Sequence, residues 1–137
     1  MALQGTLELE NKSYDILDLS YELYKPSDNN NKPSGSPTGG TIHFTIHSPM
    51  NRDTVFQYWV CQPAETKEGT FVLPLTNGIE HVTRTLDFQM AHCIRLQESY
   101  SSSSSSQMQM RITIITPVMT FNGGLKFDLR ARTVERL

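Results

Sequence analysis

Two histidines four positions apart, His43 and His47 in TIHFTIHS, have the type and spacing that first suggest chemistry, because paired imidazoles can begin a metal site. The element that carries them decides the matter. Thr41 to Ser48 alternates, with Ile42, Phe44 and Ile46 on one side and Thr41, His43, Thr45 and His47 on the other, which is the period of a strand. Four residues along a strand span about 13 Å, too far for two rings to share one ion. The pair therefore reads as facing solvent or an interface. Cys61 falls in a helical stretch and Cys93 in a strand-like run, with neither a CxxC nor a Cys/His cluster at metal-ligand spacing, so both are expected as buried, reduced thiols. His92 and Cys93 are neighbours on opposite faces of a strand and cannot form a base and nucleophile by adjacency. Asp15, Asp18, Glu22, Asp87 and Asp128 could meet as carboxylate pairs, but a solvated polar face explains them all. With no GxSxG, HExxH, P-loop or GxGxxG, no catalytic residue, metal or cofactor is expected, and the protein is not read as an enzyme.

A chain of 137 residues is expected to form one domain, 1–137, burying about two-thirds of its unfolded surface. The net charge is -2 and the Lys and Arg residues are scattered singly. That excludes a basic stripe for nucleic acid and a cationic face for membranes. The start, MALQGTLELENK, has neither a basic n-region nor an apolar run, and no stretch is long enough to span a bilayer, so synthesis in the cytoplasm without an export signal is expected.

Positioning falls to strands and to one helix. Asn51 to Gln62 places Val55, Phe56, Trp59 and Val60 on one stripe, which must bury against a sheet. Asn51 or Asp53 can cap it, or Ser48 with Pro49 at the first helical position, and Pro63 ends it. Thr6 to Glu10 and Tyr14 to Tyr24 read as a hairpin, the second strand directing Leu17, Leu19, Tyr21 and Leu23 to one face. Gly69 to Thr76 and Ile79 to Leu96 flank Asn77-Gly78, a two-residue hairpin signal. The longer strand directs Val82, Leu86, Phe88, Met90 and Ile94 inward and should bend or bulge near Asp87. Gln107 to Val118 and Leu125 to Arg132 complete the sheet, and Thr133 to Leu137 is expected to fray.

Two segments carry no core residue. Lys25 to Gly40, with its prolines, glycines and run of asparagines, forbids regular structure, and loops of that length are disordered or serve an interface. Ser101 to Ser106 reads as a mobile hairpin tip. The fold class is mainly β: a closed or nearly closed barrel of about eight strands with one flanking helix. Its polar strand faces carry Thr, His and Gln rather than Lys and Glu, as faces do when they are wet and also pressed against something.

Four landmarks in order now carry a resemblance over nearly the whole chain: the opening LELENKSYDIL, the loop NKPSGSPTGG leading into TIHFTIHS, the helix DTVFQYWV, and the closing MRITIITPVMTFNGG. Together they resemble the Hcp tube proteins of type VI secretion systems, also called TssD, and most of all the Bacteroidetes version. The serine tract is no part of that pattern. The resemblance implies a β-barrel with a flanking helix, hexameric rings stacked into a hollow tube, and expulsion of that tube by a contractile sheath. The implied partners are other copies of the chain, the sheath, spike and baseplate proteins, and effectors in the lumen. It also implies that the long loop reaches neighbouring subunits, which makes Pro26, Ser27, Asn30, Lys32, Pro33, Ser34, Gly35 and Gly39 the expected interface residues. The competing reading is a monomeric β-sandwich that binds glycan or peptide through the same loop, although the loop interiors lack the Trp or Phe such a binder would show.

Overall fold

The alternating stretches become nine strands in the computed structural model, which describes residues 4–24, 30, 40–102, 108–131 and 133–137. The strands are β1 (Thr6–Leu9), β2 (Lys12–Tyr21), β3 (Thr41–His47), β4 (Lys67–Asn77), β5 (Glu80–Ser99), β6 (Gln109–Ile115), β7 (Val118–Phe121), β8 (Leu125–Asp128) and β9 (Thr133–Arg136), with helix α1 (Val55–Cys61) between β3 and β4. Each strand pairs antiparallel to its neighbours in the order β4-β1-β2-β3-β6-β5-β7-β8-β9, and a further β4–β5 pairing joins the first strand of that order to the sixth. β1, β2, β3, β6, β5 and β4 thus close into a ring, and β7, β8 and β9 extend from β5. The last of these forms where fraying was expected: β9 pairs with β8, and Leu137 N–H donates to the Gly124 carbonyl at 2.9 Å.

β2 and β5 serve both halves of the ring, and bulges let them turn. On β2 the register shifts between Ile16 and Asp18. The extra residue changes the phase of the strand: Tyr14 and Ile16 point inward before it, against the expected face, and Leu17 is left exposed at the bulge. After it Leu19 and Tyr21 lie opposite the buried Phe44 and Ile42, Tyr21 and Leu23 being exposed toward the strand end. Only Leu19 of that set packs against the core. On β5 the expected bulge near Asp87 lies between Phe88 and Ala91, with Met90 at a φ of 56°, and a second shift follows between Cys93 and Arg95. Leu86 and Phe88 are buried as expected, but Met90 and Ile94 turn outward and Ala91 and Cys93 take the core. The β4–β5 turn is Gly78-Ile79 rather than Asn77-Gly78, because Asn77 itself pairs with Glu80. Gly78 has a φ of 66°, the first-position glycine that a type II′ turn requires.

The expected single strand from Gln107 to Val118 is broken at Thr116-Pro117, where proline cannot donate to the ladder. Thr116 stays buried there, its hydroxyl donating to the Gln89 carbonyl at 2.7 Å beside the β5 bulge.

Helix α1 closes the core through its stripe. Phe56 and Trp59 are buried, and Val55 and Val60 are half-buried against the cluster. Phe56 meets Tyr14 edge-on at 5.0 Å, and Trp59 stacks on Phe88 at 6.3 Å. Phe88 continues to Phe71 at 5.4 Å and Phe71 to Phe44 at 5.1 Å. Trp59 Nε1 donates to the Ala91 carbonyl at 3.0 Å, so its one polar atom is satisfied inside the core. The helix starts later than Asn51. Asn51 Oδ1 accepts from Asp53 N–H and Asp53 Oδ1 from Val55 N–H, both at 3.0 Å, which makes turns of the residues expected to cap it. The cap position is Thr54, whose side chain makes no capping bond, so Ser48 and Pro49 stand outside the helix. Cys61, expected buried, is exposed on the far face, and Cys93 is buried; both are free.

Candidate subunit interfaces

Four strands form a sheet with a polar outer face: the second half of β2, then β3, β6 and the second half of β5. Register aligns Asp18, Thr45, Arg111 and Gln97 in one row and Ser20, His43, Thr113 and Arg95 in the next. His43 Nδ1 lies 3.0 Å from Thr113 Oγ1. Thr45 is buried despite facing outward, sheltered between the larger Asp18 and Arg111. The rows line a hollow of about 370 Å³. Two sides of this sheet are open: residues 18–21 of β2 and 95–99 of β5 pair with one strand each among the described residues. Unpaired edges invite another chain.

A second surface is a groove of about 630 Å³ lined by Met90, Ile115, Pro117 and Leu129, with His92 and Arg130 beside them. The β5 bulge creates it by turning Met90 outward. A third is the far end of the β4–β5 hairpin, where Leu75, Ile79 and Val82 are exposed.

Two of the carboxylates singled out in sequence, Asp87 and Asp128, have local duties. Asp87 accepts from the Thr70 hydroxyl. Arg130 beside Asp128, with the N–H groups of Ala131 and Arg130, holds that carboxyl below the usual range. Burial pushes the Cys93 thiol up to about 11, the opposite of what a nucleophile needs. Among the described residues no three His, Cys, Asp or Glu side chains are grouped to hold a metal ion.

Sequence reading missed two ion networks. Lys67, buried in β4, donates to Glu10 and, at 3.1 Å, to Glu65. Burial alone would lower the Lys67 pKa, but these two carboxylates raise it above its ordinary value. Asp53 accepts from the Tyr14 hydroxyl at 2.7 Å and from Lys12 at 3.2 Å. Both networks join residues far apart in sequence, so no local pattern announces them.

Of the expected interface residues, Pro26, Ser27, Lys32, Pro33, Ser34, Gly35 and Gly39 lie outside the described residues, and Asn30 is exposed in a turn. Most of the serine tract also lies outside them. The end of the long loop is described. Gly40, at a φ of 86°, accepts from Thr116 N–H at 2.7 Å, and a Cβ there would stand 2.4 Å from the Thr116 carbonyl oxygen.

A family model described as hemolysin coregulated protein Hcp (TssD) matches residues 1–128. Among solved structures the chain is similar to Hcp1 from Flavobacterium johnsoniae, with a TM-score of 0.75 and 23% identity over 92% of this chain and 99% of that one. It is similar to a type six secretion system protein at a TM-score of 0.77 and 12% identity, covering 98% and 100%. A chain of the PVC sheath-tube complex, an extracellular contractile injection system in its extended state, aligns at a TM-score of 0.50 and 18% identity over 86% and 87%. At these identities the likeness is one of fold. No curated protein matches the chain in sequence.

Proposed function

Because this chain belongs to the hemolysin coregulated protein (Hcp, TssD) family and is a tube component of a type VI secretion system, we propose that it acts as one ring-forming domain, six copies to a ring, with rings stacked into a hollow tube. The observation that carries this reading is the pair of open edges, residues 18–21 of β2 and 95–99 of β5, on the two sides of one polar sheet. Joining the β2 edge of one copy to the β5 edge of the next is a head-to-tail contact, which closes into a ring when the rotation allows. The polar rows then face the lumen, where water and cargo effectors meet them, and Thr, His and Gln suit that surface. Segment 26–39, leaving β2 and returning at Gly40, reaches a neighbouring copy in this arrangement.

The tube works with sheath, spike and baseplate proteins and catalyses nothing itself; it waits in the cytoplasm and leaves by being fired. No helix among the described residues is long and apolar enough to cross a membrane. Light scattering of the purified protein tests the ring: a mass near six times 15.5 kDa is expected, and a single-subunit mass at micromolar concentration would sink it.

A further inference from the structure

The inner face of the β4–β5 hairpin runs on past the ring that should cover it. Phe71 and Leu86 face each other in the core, and on the same side the next pairs are Leu73 with Arg84 and Leu75 with Val82. β1 stops opposite Val72 and β7 opposite Leu86, so residues 73–84 have no third strand among the described residues. Leu75 is 48% exposed, Val82 53% and Ile79, at the tip, 96%. A two-stranded ribbon is marginal by itself, and an apolar face on one calls for a partner. Strand addition along its β4 edge is blocked, because Pro74 has no N–H to offer. On that side a contact is left to side chains.

We propose that this ribbon end seats in the Met90–Leu129 groove of a second copy in the adjacent ring, so that Ile79, Leu75 and Val82 fill the concavity that Met90, Ile115, Pro117 and Leu129 leave open. Charge agrees with the fit at the tip: Glu80 flanks Ile79, with Arg84 farther down the ribbon, and the groove is flanked by His92 and by Arg130, whose guanidinium is exposed although it pairs with Asp128. Val82 and Met90 are eight residues apart on one strand, about 26 Å along it. A knob and hole so offset can repeat head-to-tail along the strand direction, as successive rings require, whereas reciprocal filling about a two-fold axis would stop at a dimer. The inference rests on the tube reading and adds to it where one ring grips the next.

The test uses the full chain with Cys61→Ser, carrying Ile79→Cys and Leu129→Cys. Mild oxidation at a concentration where rings form should give a disulfide-linked ladder of subunits and tubes visible by electron microscopy, while each single cysteine gives no ladder above a dimer. In the otherwise unaltered protein, Ile79→Asp with Leu75→Asp should keep the ring mass and reduce tubes at least tenfold. Both positions are exposed, so folding is unaffected. Glu80→Arg should likewise lose tubes, and Arg130→Glu should restore them. Intact rings without a ladder, or rings of the aspartate variant that stack normally, would overturn this inference and leave the ring reading standing. A protein that remains a single subunit would overturn both.

Discussion

The hydroxyl of Tyr14 on β2 donates to Asp53 Oδ2 at 2.7 Å, tying the first hairpin to the turn that launches helix α1. The same carboxylate holds the first helical N–H through Val55 and is reached by Lys12. One side chain thus sets where the helix begins and which strand it rests on. Burial alone would raise the Asp53 pKa, but the hydrogen bonds from Tyr14, Val55 and Lys12 outweigh it and hold the carboxyl below its ordinary value.

A depressed folded pKa stabilises the protein above the unfolded carboxylate value of about 3.9 and is lost as pH falls through the folded value. Thermal unfolding of the wild type should therefore weaken below about pH 4 more steeply than that of Asp53→Asn. Parallel curves for the two proteins would show that Asp53 is not the linked group. Tyr14→Phe should cost about 1 to 2 kcal/mol at neutral pH.

Trp59→Ala should cost about 3 to 5 kcal/mol, since the ring is buried between Phe56 and Phe88 and its N–H is bound inside the core. Trp59→Phe keeps much of the packing and leaves the Ala91 carbonyl without this partner, so about 1 to 3 kcal/mol is expected. Chemical denaturation reads both, and an unchanged midpoint for the alanine variant would mean that the helix is not docked as described.

Gly40→Ala should destabilise by more than Gly78→Ala. Both glycines have positive φ, which an alanine resists by about 1 kcal/mol, but only at Gly40 would the new Cβ press on the Thr116 carbonyl and Leu129. Equal melting temperatures for the two variants would remove the close approach from the account.

A thiol reagent should modify Cys61 at once in the folded protein and Cys93 only after unfolding, with both titrating in the absence of reductant. Slow reaction of Cys61 in assembled rings, relieved on dissociation, would place the outer face of α1 at a contact. A disulfide between the two would contradict the described fold.

Shortening the loop from Ser27 to Pro37 to a tight turn should leave the ring of strands folded yet weaken assembly and stop secretion, because a loop too long for its connection is expected to reach a neighbour. Replacing Ser101 to Ser106 with a short Gly and Asn turn should do much less. The reverse outcome, read by light scattering and by protein in the culture medium, would assign the contact to the serine tract.

Period-two alternation was readable where a strand is regular. β3 buries Ile42, Phe44 and Ile46 as its pattern says, and α1 turns in Phe56 and Trp59. It was unreadable at Leu17, Met90 and Ile94, because a bulge reverses the side-chain phase without changing composition, and the residues that end up exposed are as apolar as those they replace. Lys67 was missed for another reason: its partners Glu10 and Glu65 reach it only once β1 lies beside β4. The β2 and β5 edges became visible only with the closed ring, since a free edge is a property of pairing and leaves no mark on residue type.

β5 is a single strand of 20 residues, on the order of 60 Å of continuous backbone, that begins at the projecting ribbon and ends at the open edge of the polar sheet. A push on the ribbon tip enters that covalent backbone and passes to β4 and β7 ahead of the bend and to β6 beyond it, through ladder bonds perpendicular to the strand, so both halves of the ring share it. One strand thus joins the projecting ribbon to the open edge of the polar sheet, so a load applied at either is felt at the other.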